Sequence, residues 1–164
     1  MQTAETQTAL AGLFRELTAG APRGAAFILN GGDDGLLRAL DALSAEDASR
    51  SLSGGATVAA HAAHLAYGLS LMNRWAEEGG NPFADADWGE AWKTSTVDDA
   101  RWQEIRRALA DEVRRWGAAL ETPREMQAIE LSGMIASVAH LAYHLGAIRQ
   151  IAPRARGPKD GASG

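Results

Sequence analysis

The 164-residue chain contains no cysteine. Disulfides, zinc ribbons and cysteine nucleophiles are thereby removed together, and any metal must be held by His or carboxylate. Dense basic runs are missing too: the formal net charge is −5, and the only cationic stretch is the sparse series Arg149, Arg154, Arg156 and Lys159. A phosphate-backbone binder is not expected, so nucleic acid is excluded as a partner. No uninterrupted apolar run approaches the roughly 18 to 20 residues of a membrane span. The opening MQTAETQTALAGLFRELTAG lacks the basic and apolar regions of a signal peptide, and a cytoplasmic protein without a membrane partner is the expectation. Strand signals are absent as well, since no stretch sustains apolar–polar alternation with β-branched enrichment.

What is present is helical. Hydrophobic residues make up 46% of the chain and charged residues 23%, a globular composition, and the length suits one core rather than two. Leu10, Leu13, Phe14 and Leu17 recur at helical spacing in a first segment that stops at Gly20, Pro22 and Gly24. A short helix is expected from Asp34 to Leu43, followed by a loop holding SAED (Ser44 to Asp47). Thr57 caps a second long helix carrying Val58, Leu65, Leu69 and Met72, which ends near Gly79 and Gly80. Residues 81–96, NPFADADWGEAWKTST, show no period and read as an ordered, aromatic-rich loop. Thr96 with Asp99 forms a capping pair for a third long helix through Trp102, Ile105, Leu109, Val113, Trp116 and Leu120. In TPRE, Thr122 is the expected cap of a fourth, with Pro123 at its first position and Glu125 reaching back. That helix runs through Met134, Val138, Leu141, Leu145 and Ile148 and stops before Pro153. The expected fold is all-α: a four-helix bundle over residues 1–153 with a short additional helix, then a flexible tail over 154–164.

All four histidines fall on two of these helices, His61 and His64 on the second, His140 and His144 on the fourth. His140 and His144 differ by roughly 40° around their helix and sit one turn apart, so both can approach one point. Two imidazoles alone do not hold a metal firmly, and buried histidines often serve only the core. A third ligand from the second helix changes this, because bundle interiors build metal sites from facing helices. Wheel position leaves both His61 and His64 open for that place.

The stretches TVAAHAAHLAY (Thr57 to Tyr67) and HLAYHLGAIRQ (His140 to Gln150) resemble the DinB-like superfamily, four-helix bundles that include DNA-damage-inducible proteins and thiol-dependent S-transferases. The resemblance covers the chain to about residue 153. It implies a divalent metal, zinc or nickel, held by His64, His140 and His144. His61 falls where many members have an apolar residue, and is ranked as a hydrogen-bonding group behind a ligand, then a fourth ligand, then a core residue. The resemblance also implies a low-molecular-weight thiol as cofactor, a small-molecule substrate and a homodimer.

Three neutral imidazoles leave the metal's charge undiminished and a coordination position open, an arrangement suited to catalysis. The leading expectation is a metal-dependent transferase attaching a small thiol to an electrophile. Metal-assisted hydrolysis needs the same three histidines, and a non-enzymatic, metal-stabilised bundle acting in stress response is the third reading. Tyr67, Tyr143 and Arg149 are secondary candidates for catalysis, although packing suits both tyrosines and a helix-dipole role suits Arg149. Asn73, Arg74, Trp75 and the loop from Pro82 to Trp92 can line or cover a pocket, with packing of Phe83, Trp88 and Trp92 onto the bundle the favoured reading. Glu77, Glu78 and Glu130 are expected at the solvated surface.

Overall fold

The computed structural model describes residues 2–22 and 26–159, with the side chains of 2, 3 and 91 left aside. It is all-α: α1 (Gln2–Ala19), α2 (Gly35–Asp41), α3 (Ala45–Ala48), α4 (Val58–Glu78), α5 (Trp88–Trp92), α6 (Asp99–Glu121) and α7 (Ala128–Ile151), with a 3-10 turn at Pro153–Ala155. Among the described residues no strand forms, and Ser51 and Thr57 make one isolated bridge. The long helices α1 and α4 each pack against both α6 and α7. Between them lie Phe14, Leu65, Trp102, Trp116, Met134 and Leu141, all buried. Each buried indole satisfies its N–H: Trp102 Nε1 donates to the Leu43 carbonyl and Trp116 Nε1 to Ser137 Oγ, both at 2.9 Å.

Local chemistry sets the ends. Gly20 adopts φ 107°, and a Cβ there would collide with the Asp33 carbonyl, so only glycine turns the chain out of α1. Pro22 follows, whereas Gly24, also expected at this stop, lies outside the described residues. The expected cap of α4 forms: Thr57 Oγ1 accepts from the Ala60 N–H at 3.1 Å. The same hydroxyl donates to the Ser95 carbonyl at 2.9 Å. This ties the end of the 81–96 loop to the start of the helix that carries His61 and His64.

Four boundaries differ from expectation. SAED is not a loop: Ser44 and Asp47 cap each other reciprocally and start α3. The cap of α6 is Asp98, whose carboxylate accepts from the Arg101 N–H at 2.8 Å, while just before it Ser49 Oγ accepts from the Val97 N–H and donates to the Val97 carbonyl. The fourth long helix does not start at Thr122. Gln7 on α1 donates to the Thr122 carbonyl and accepts from the Arg124 N–H, which keeps TPRE out of helical conformation. α7 starts after Gln127, whose N–H donates to Glu130 at 2.7 Å. The 81–96 segment is ordered and aromatic-rich, as expected, but it also folds one short helix, α5.

The start of the 154–164 segment does not hang free. Ala155 is buried, Arg156 Nε donates to the Arg149 carbonyl, and Asn30 donates to the Pro158 carbonyl. No apolar run of membrane-spanning length is uninterrupted, yet by length and composition alone α7 is long and apolar enough to cross a membrane. Its most apolar 18-residue window has mean hydropathy 1.3, and along the whole helix only Glu130 and Arg149 are charged. Yet Met134, Leu141, Leu145 and Ile148 on one side of it are core residues.

Candidate metal centre

Gly68 on α4 faces the His140 ring, and Gly133 on α7 faces the Met72 side chain. The two helices are therefore antiparallel at this seam, and His61 and His64 meet His144 and His140 across it. His64 Nε2 lies 3.1 Å from His140 Nε2, and His144 Nε2 lies 2.9 Å from the same atom. One ring nitrogen each from His64, His140 and His144 falls within 4.8 Å of the others, so these three side chains can hold a metal ion. Nitrogens bound to one tetrahedral zinc at about 2.0–2.1 Å are about 3.3 Å apart, close to the two short separations.

The protons explain why a cation fits. A neutral imidazole nitrogen carries either one N–H or one lone pair, so His140 Nε2 cannot donate to both neighbours, nor can it accept well from both. Three lone pairs turned to a shared cation remove that conflict. His64 Nδ1 is buried without a hydrogen-bond partner, an exposed cost that the convergence of the Nε2 atoms does not relieve.

The cluster resists protonation. Burial, followed by the neighbouring imidazoles, pushes His64 down to about 4 and His144 down to about 3. Burial alone lowers His61 and His140 below the ordinary histidine value. The imidazoles are thus neutral at pH 7, the form that binds metal. No carboxylate belongs to the three-residue group, so the set adds no negative charge to an ion.

His61 sits behind the cluster, with its Nδ1 2.8 Å from His144 Nδ1. Around the rings lies the loop that showed no period in the sequence. Trp92 stacks on His64 with centroids 4.3 Å apart, and also meets His61 and His144. Trp88 lies 5.5 Å from His64, and Phe83 stacks on Trp88. Packing and covering are therefore one arrangement: α5 packs onto the molecule by covering the histidines. Its sequence signal is the pair of tryptophans at i and i+4, too short a run to declare a helix.

The secondary candidates separate. Tyr67 stands beside α5, accepting the Asp87 N–H at 2.9 Å and meeting Trp88 edge-on. Tyr143 packs edge-on against His144 but is 72% exposed. Arg149 pairs with buried Asp33 at 2.8 Å, which gives it a tying role between α7 and the segment before α2. Asn73 is buried and donates to Glu112 on α6, Trp75 lines a surface cavity with Met72 and Phe83, and Arg74 is exposed. Glu77 pairs with Arg115, Glu130 caps α7, and Glu78 is exposed. None of the three acids joins the histidine group.

Compared with known protein families, curated proteins and solved structures, the chain has no significant match in any of the three.

Proposed function

We propose that the protein is a DinB-like four-helix bundle and a divalent-metal-dependent enzyme, which transfers a low-molecular-weight thiol to a small electrophile. The observation that carries this reading is the convergence of the three Nε2 atoms of His64, His140 and His144, from two facing helices. A divalent ion held by three neutral imidazoles supplies a Lewis acid that lowers the pKa of a thiol bound to it. The chain's own residues do the rest. The neutral histidines hold the site ready at pH 7, His61 orients the His144 ring, and Trp88 and Trp92 exclude water above it. With no cysteine in the chain, the thiol comes from a cofactor.

The proposed protein is cytoplasmic and homodimeric. The outer stripe of α7, with Ala128, Ile135, Ala139, Tyr143 and Gly146 exposed, is free of charge and suits a second copy.

Metal analysis of tag-free protein, beside His140→Ala and His64→Ala, tests the site. Stoichiometric zinc or nickel, lost in both variants, is the expected result; folded protein that takes up neither metal overturns it. Conjugation assays with a panel of cellular thiols then separate transfer from hydrolysis by bound water.

A further inference from the structure

The cationic residues Arg149, Arg154 and Arg156 are sparse in sequence, but the fold gathers them. The 3-10 turn at Pro153–Ala155 packs against both α7 and α2, which brings Arg154 and Arg156 beside Arg149, and Arg38 on α2 joins them. All four line one cavity of about 170 Å³, whose only acids are Asp33 and Asp34. The segment carrying Arg156 is closely seated. Ala155 is buried, Asn30 Nδ2 donates to the Pro158 carbonyl at 2.9 Å, and a Cβ on Gly157 would collide with the Asp33 carboxylate. Three separate stretches of chain thus build the wall, each held by contacts of its own.

The charges in this wall do not cancel. Arg149 donates to Asp33 at 2.8 Å, and Arg154 approaches Asp47, outside the wall, at 3.5 Å. Arg149 Nε is buried without a hydrogen-bond partner. Among the described residues the Arg38 guanidinium has neither an ion pair nor a hydrogen bond, although Asp34 stands one turn before it. Arg156 donates through Nε to the Arg149 carbonyl and pairs with no acid among the described residues. Four arginines against two aspartates leave an excess of two positive charges, on a chain whose net charge is −5.

Guanidinium suits an oxyanion: it stays charged, and its planar fork of N–H groups meets two oxygens at once. Two excess charges match a dianion. The volume of about 170 Å³ is well below the roughly 300–1,000 Å³ of sites that enclose a whole ligand. One compact group therefore enters, and the rest of any larger molecule stays outside. A nucleic-acid backbone would need cations spaced along a surface, whereas these converge on a single cavity.

We infer that the cavity binds a phosphate dianion, free or as the terminal group of a small phosphate monoester, through Arg38, Arg149 and Arg156. No histidine lines it, and the anion is bound whether or not a metal occupies the histidine cluster. Because the ligand joins α2, α7 and the segment after the 3-10 turn, it stabilises the folded chain and raises its thermal midpoint.

Calorimetric titration of the full, metal-free chain tests this, with inorganic phosphate in one arm and glycerol 3-phosphate in the other. The buffer holds about 0.15 M KCl to screen weak surface attraction, at about pH 8, above the second pKa of a phosphate monoester. One saturable site is expected, weakened about tenfold or more in Arg38→Gln and in Arg156→Gln. Both positions are exposed, so the thermal midpoint in phosphate-free buffer should not change. Asp34→Asn, which removes an opposing charge, should tighten binding. The tighter of the two probes identifies the source of the anion. No saturable binding of either probe by about 10 mM, or binding unchanged in both arginine variants, overturns the inference. So does an equal loss in Arg74→Gln, whose exposed side chain lies outside the wall, since overall surface charge and not the cavity would then hold the anion. Metal-free protein is used throughout, so failure of the metal reading leaves this result standing.

Discussion

His61 Nδ1 and His144 Nδ1 lie 2.8 Å apart, so one proton is shared between two buried rings. If His144 donates it, its Nε2 keeps a lone pair directed to the group formed with His64 and His140. His61 then fixes the tautomer of a ligand rather than acting as one. His61→Ala is expected to keep metal stoichiometry while weakening affinity about 10- to 100-fold, read by competition with a chromogenic chelator. Complete loss of metal would instead make His61 a ligand.

The depressed histidines set a pH dependence for the metal-free protein. The unfolded chain takes up protons near the ordinary 6.5, whereas folded His64 and His144 resist until about 4 and about 3. Between those limits the unfolded state binds more protons, so stability falls as pH drops through this window. Thermal midpoints measured in chelator should decline steadily from pH 7 to pH 5. The decline should flatten in a His64→Gln/His144→Gln double variant. A level profile in the parent protein would mean that the cluster is open to water.

Gly68 separates small substitutions from large ones. A Cβ there makes ordinary contacts of 3.7 Å with the His140 and Trp88 rings, and alanine favours helix by up to about 1 kcal/mol over glycine. Gly68→Ala is expected to retain metal with a thermal midpoint unchanged or higher. Gly68→Leu must displace one of those rings, and should lower metal affinity about tenfold or more. Equal affinity in the two variants would remove Gly68 from the site.

What the sequence disclosed about this site followed the periodicity of long helices. The cap at Thr57, the stop at Gly79 and the positions of all four histidines were legible because α4 and α7 run for about six turns each with repeating apolar residues. The start of α7 was not legible: TPRE carries a valid capping pattern, and it is overruled by Gln7, more than a hundred residues away in sequence. Nor was α5, whose five residues are too few to show a period and whose tryptophans are placed by the rings they cover. Resemblance put three histidines together, but the Nδ1 contact of His61 required the packed interface.

That cover makes its own prediction. Trp92 stacks on His64 and touches His61 and His144, so Trp92→Ala should open the imidazoles to solvent. Faster modification of histidine by diethyl pyrocarbonate is expected, with a stability loss of about 1 kcal/mol from the missing aromatic contacts. An unchanged modification rate would mean that α5 does not shield the cluster.

Glu16 provides a check outside the histidine cluster. Its buried carboxylate accepts from the N–H groups of Phe27, Ile28 and Leu29. Burial acts to raise its pKa, but the three backbone hydrogen bonds outweigh it and hold the group below the ordinary 4.5. Its contribution to stability is present above pH 4.5 and lost as pH falls through the lowered value. Glu16→Gln should cost about 1–3 kcal/mol at pH 7, measured by urea unfolding. Under 0.5 kcal/mol, roughly the scale of a surface substitution, would show that the carboxylate does not fasten this loop.

A chain without cysteine has no covalent bond to join its distant parts, yet the meeting of His64 with His140 spans 76 residues. An ion at that junction would close a loop of this size, restricting the unfolded chain as a disulfide does. Such a staple needs no oxidant and is indifferent to cellular reductants. A chelator would remove it, which would couple the protein's folding to the supply of metal.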